Sequence, residues 1–92
     1  MKVFNSPDEL RKYSLALASE MMVAGYKEQS RILEFQANMV CTTGWEYLGE
    51  LLEGVYQVRA IGNLPDELEQ KLKIIYKTSK SKTPYTYMLN DR

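Results

Sequence analysis

Apolar residues return every three or four positions along most of this chain, and the pattern is punctuated by helix-start and helix-stop signals rather than by strand-like alternation. Ser6-Pro7-Asp8-Glu9 has the form of a capping box with proline at the first helical position, the serine hydroxyl accepting from the amide three residues on. It predicts a first helix from about Pro7 to Ala24, with Leu10, Tyr13, Leu17, Met21 and Ala24 on one face and Gly25 as its left-handed stop. Leu15 and Met22, with Ala18 between them, point almost the opposite way, so that second stripe needs a cover of its own.

A second helix is predicted from Tyr26 or Lys27 to Val40. Its apolar residues Tyr26, Ile32, Leu33, Phe35, Met39 and Val40 spread over a wide arc that implies more than one neighbour. Gln29 and Gln36 fall inside that arc and must be hydrogen-bonded, or sit at its rim, to escape a desolvation cost of about 1 to 3 kcal/mol. Thr43-Gly44-Trp45-Glu46 repeats the capping logic and opens a third helix from about Gly44 to Ala60 or Ile61, ended by Gly62-Asn63. Trp45, Leu48, Leu51, Leu52, Val55, Tyr56 and Val58 occupy one half of it, and Glu46, Glu50, Glu53 and Gln57 form an acidic stripe on the other. Arg59 lies within the apolar half and is read as snorkelling to the last carbonyls.

Leu64-Pro65-Asp66-Glu67 starts a fourth helix, with acids at its positive dipole end and Leu64 placed to staple onto Leu68. Its inner face is Leu68, Leu72, Ile75 and Tyr76. After Lys77 the stretch Thr78-Ser79-Lys80-Ser81-Lys82-Thr83-Pro84 reads as a polar breaker. The segment Tyr85-Thr86-Tyr87-Met88-Leu89 then reads as an extended tail that either frays or docks on an apolar groove. The expectation is an all-α fold of four helices in two antiparallel hairpins, over residues 1–79, followed by a C-terminal tail over 80–92. The hairpins form a small bundle or a stacked array.

The matching turns at Ala24-Gly25 and Ile61-Gly62 suggest a degenerate internal duplication. Trp45-Glu46-Tyr47-Leu48-Gly49 resembles the opening Trp, Leu, Gly signature of tetratricopeptide helices, and Leu17-Ala18 with Gly25 and Ala37 sits at spacings similar to that repeat. The chain departs from the pattern at Leu52, where an aromatic is expected, and in the length of the third helix. The resemblance implies a tetratricopeptide-like hairpin geometry, with a tetratricopeptide-like array as the alternative to a small bundle, and binding of peptides or proteins.

Composition narrows the chemistry. With 92 residues, no histidine, one cysteine and no glycine-rich phosphate loop, the chain offers no metal or nucleophile-base constellation, so no catalytic, cofactor or metal site is expected. Cys41 reads as a small packed residue, since no histidine is present to act as its base. Twelve Lys plus Arg balance twelve Asp plus Glu, which argues against broad attraction to nucleic acid or an anionic membrane. The charges are nevertheless segregated. Residues 42–70 carry Glu46, Glu50, Glu53, Asp66, Glu67 and Glu69 against Arg59 alone, and Lys71, Lys73, Lys77, Lys80 and Lys82 follow. No run of about 20 apolar residues is present to cross a bilayer, and the N-terminal residues lack a secretory core, so a cytoplasmic protein is expected.

The expected function is a non-enzymatic protein-protein interaction module that holds a protein partner or self-associates as a homodimer. Its partner-binding residues are Leu15, Met22, Tyr85, Tyr87 and Leu89. The competing reading is a nucleic-acid-associated regulator that sets the five lysines on phosphates and Tyr85 or Tyr87 against bases.

Overall fold

The computed structural model describes residue 4, residues 6–39 and residues 48–82. The described residues form four helices and no strand: α1 (Pro7–Val23), α2 (Lys27–Asn38), α3 (Leu48–Ile61) and α4 (Asp66–Lys82). Each helix packs on its neighbour in the chain, and α4 returns to α1, so the four close into a ring. Of the two arrangements open to paired hairpins, the chain adopts the bundle.

Local chemistry sets the helix ends. The Ser6 side chain accepts from the Glu9 amide at 3.3 Å and starts α1. At its other end Gly25 takes φ +97°, the Gly25 amide donates to the Met22 carbonyl and the Tyr26 amide donates to the Met21 carbonyl. Those two bonds make a Schellman stop, and Tyr26 folds back onto the core beside it. Gly62 (φ +77°) and Asn63 (φ +66°) turn α3 into α4 in the same left-handed region. The start expected for the third helix at Gly44, and Trp45 with it, lie outside the described residues.

The core is a stack of aliphatic side chains at or near zero exposure: Leu10, Leu17 and Met21 from α1, Leu33 from α2, Leu51, Val55 and Val58 from α3, Leu72 and Ile75 from α4. Phe4 is also buried and meets Tyr13 edge-on, with ring centroids 5.4 Å apart.

Two sequence expectations change. The fourth helix does not break after Lys77 but continues to Lys82. Thr78 and Ser79 are buried, because Ser79 extends the Leu68, Leu72, Ile75 face by one more turn and small polar side chains fit against the bundle there. The wide arc of the second helix is not all inward. Leu33 and Ala37, with Gln29 and Ser30, turn to the core, whereas Phe35 and Met39 remain 65% and 47% exposed. Small residues set that register: the Ser30 hydroxyl donates to the Ala18 carbonyl of α1 at 2.6 Å, which draws α2 in by its Ser30 edge and turns Phe35 outward.

Candidate functional site

Leu15 and Met22 share one wall of a cleft of about 120 Å³ between α1 and α2, together with Ala18, Ser19, Ser30 and Glu34. Leu15 is half-buried against the core and Met22 is 37% exposed. The second stripe of α1 is therefore partly covered by α2 itself, which comes close enough for the Ser30 bond, and only its Met22 end stands open. The other expected contact residues, Tyr85, Tyr87 and Leu89, lie outside the described residues, as does Cys41.

The seam between α2 and α3 holds two glutamines that the sequence placed in an apolar arc. Gln29 is buried and its Nε2 donates to the Gly62 carbonyl at 2.8 Å, tying the start of α2 to the turn after α3. Gln36 meets α3 differently. A Cβ placed on Gly54 would stand 2.7 Å from Cγ and 2.8 Å from Cβ of Gln36, closer than carbon atoms approach, so the two helices touch at a point only glycine allows. The Gln36 Oε1 is buried there without a hydrogen-bond partner among the described residues. Gly54 gave no signal in the sequence beyond being a glycine inside a helical pattern.

Between α3 and α4 the side chains are large and charged. Arg59 does not fold onto the α3 carbonyls but reaches across the seam: its Nε donates to Glu69 Oε1 at 3.2 Å and its guanidinium lies 4.9 Å from the Tyr76 ring centroid. Tyr76 also meets Tyr56 edge-on at 6.1 Å and carries the Lys80 ammonium 5.7 Å from its centroid.

The lysine run divides around α4. Lys71 turns to α1 and donates to Glu20 Oε1 at 2.7 Å, a bond that holds its ammonium above the usual lysine range. Burial pushes the Tyr13 hydroxyl up, with the Glu20 carboxylate adding to the effect. Lys73 and Lys77 line an outward cleft of about 210 Å³ with Gln70 and Ile74. Neither makes an ion pair among the described residues. At the start of α1, Arg11 and Lys12 both hold the Asp8 carboxyl below its ordinary value through hydrogen bonds of 2.7 and 3.2 Å.

Among the described residues no group of His, Cys, Asp or Glu is arranged to hold a metal ion, and no helix is long and apolar enough to cross a membrane. The arrangement offers apolar side chains on α2, a shallow cleft beside α1 and, on α4, an acidic first turn followed by lysines. No family model, curated protein or solved structure matches the chain.

Proposed function

We propose that this protein is a non-enzymatic helical interaction module that holds a protein segment against the outward face of α2. The observation that carries the reading is the pair Phe35 and Met39, one helical turn apart and 65% and 47% exposed, beside Leu33 and Ala37, which the same stretch buries in the core. A phenylalanine left in water gives up about 1.5 to 3 kcal/mol of burial energy that a partner recovers on docking, and aromatic and methionine side chains are the types enriched at the centres of interfaces. Met22, at the open end of the α1–α2 cleft, and its neighbour Val23, at 90% exposure, are further exposed apolar side chains beside the Gly25 turn.

The test is site-directed photocrosslinking in the native cell. A crosslinking side chain at position 35 is expected to trap one discrete protein, and the same group at exposed Lys12 on α1 is expected to trap none. Adding Met39→Ser should weaken the adduct at position 35 while the helical content stays unchanged. Equal, diffuse labelling from both positions would overturn the reading.

A further inference from the structure

The end of α4 and the start of α1 meet at one corner of the bundle. The chain reverses at each turn, as paired contacts show: Tyr26 with Met21 and Ser30 with Ala18, Gln29 with Gly62 and Gln36 with Gly54, Arg59 with Glu69 and Tyr56 with Tyr76. Hence α4 runs antiparallel to α1, and Lys71 pairs with Glu20 across their seam. Both helices rise about 1.5 Å per residue. Lys82 lies as far beyond Lys71 as Glu9 lies before Glu20, so the last residue of α4 comes level with the first turns of α1. Helical spacing puts Glu9 and Tyr13 on the same side of α1 as Glu20, the side that faces α4. The Tyr13 hydroxyl senses the charges of both Glu20 and Lys71, in keeping with that placement. There Phe4, Glu9, Lys12 and Tyr13 line a cleft of about 350 Å³. The edge-to-face pair of Phe4 and Tyr13 is its aromatic wall, and the exposed Glu9 and Lys12 form its rim.

We propose that residues 85–89 of this chain, which lie outside the described residues, dock across the α1–α4 seam with the Tyr85 and Tyr87 rings in this cleft against Phe4 and Tyr13. Reach argues for this occupant. Tyr85 follows Lys82 by three residues, at most about 11 Å of extended chain, whereas the exposed Phe35 and Met39 lie on α2, which packs on α1 and α3. A segment tethered that closely acts at an effective concentration in the millimolar range, which a free partner of the same chemistry must exceed. The chemistry fits as well. An aromatic wall with a polar rim takes a tyrosine, whose ring packs on the wall while its hydroxyl stays at the wet edge. In an extended chain residues 85, 87 and 89 share one side, so both tyrosines and Leu89 face the seam together. Docked in this way, the segment straps the ring shut where the Lys71–Glu20 ion pair joins the first helix to the last. The proposal goes beyond the interaction-module reading and uses a different face from Phe35 and Met39.

Nuclear Overhauser contacts in the whole chain test this, because Phe4 and Phe35 are its two phenylalanines and label the two faces separately. In the monomeric chain the Phe4 ring should show cross-peaks to the rings of Tyr85 and Tyr87 as well as to Tyr13. Tyr85→Ser with Tyr87→Ser should abolish the first two and leave the Phe4–Tyr13 cross-peak, which reports that the fold is intact. The proposal is overturned if Phe4 shows no cross-peak to either tail tyrosine, or if Tyr85 and Tyr87 contact Phe35 instead. It is also overturned if the Phe4 cross-peaks appear only in a sample of dimer mass, which would give the cleft to the tail of a second copy. The crosslink expected from position 35 should survive Tyr85→Ser with Tyr87→Ser, so failure of this proposal and failure of the α2 reading are distinguishable.

Discussion

The two sides of this bundle are built on opposite principles. Where α2 meets α1 and α3, the contact residues are small: Ala18 and Ser30 on one side, Gly54 against Gln36 on the other, with short hydrogen bonds from Ser30 and Gln29 closing on backbone carbonyls. Where α3 meets α4, the edge of the seam is filled by Tyr56, Arg59, Glu69 and Tyr76, whose long side chains bridge the helices through ring and ion contacts. Small residues let backbones approach and leave no room for adjustment. Long amphipathic ones span a wider gap and keep their polar ends in water. The α2 seams therefore act as the rigid part of the scaffold, and the α3–α4 seam is the one bridged by long charged and aromatic side chains.

The largest effect that separates the two designs is expected at Gly54. Gly54→Ala gains up to about 1 kcal/mol of helix propensity in an open helix, but its methyl group meets Gln36 at under 3 Å. Overpacking of this kind costs about 1 to 3 kcal/mol, so denaturant unfolding should show a net loss of stability. A gain would mean that α2 and α3 are not in close contact.

Ser30→Ala should come next. It removes the 2.6 Å bond to the Ala18 carbonyl from a buried site, and urea unfolding should report a loss of about 1 kcal/mol. No change would show that the α1–α2 approach does not depend on that bond. On the other side of the comparison, a double-mutant cycle on Arg59→Met and Tyr76→Leu should give a coupling of only about 0.5 to 1 kcal/mol, as for a cation over a half-exposed ring. A coupling several times larger would make the α3–α4 seam as rigid as the α2 seams.

The smallest effect is in alkali. The Glu20 carboxylate raises the pKa of Lys71 in the folded chain above its ordinary value of 10.5. The stabilisation is complete below that value and is lost as the pH rises through the folded pKa. Comparing denaturation midpoints of the wild type and Lys71→Met, the gap should be widest near neutrality and should close above about pH 10.5. A gap that stays constant with pH would show that Glu20 and Lys71 do not pair in solution.

The sequence made helix type and most helix ends legible, because Ser6, Gly25, Gly62 and Asn63 act through their own backbone neighbourhoods and need no tertiary context. The exposed half of α2 was not legible. An arc from Tyr26 to Val40 is too wide for periodicity to say which edge turns inward, and the choice was made by Ser30 and Ala37, residues with weak hydropathic signals. The continuation of α4 was hidden for a related reason, since Thr78 and Ser79 look like a breaker until the bundle beside them supplies a place to be buried. Of the expected contact residues, Leu15 and Met22 do share a cleft, but the part played there by Ser30 depends on the approach of α2, which no spacing along one helix encodes.

Native-state hydrogen exchange measures the contrast between the two sides most directly. The buried backbone around Leu17, Ala18, Ser30, Leu33 and Ala37 has its helices clamped by small residues. Those amides should exchange only through global unfolding, while the outward turns of α4 from Lys73 to Lys77 should open at a lower free energy, as for a face lined by long, wet side chains. Equal protection of both sets, or slower exchange on α4 than at Ala18 and Ser30, would contradict it.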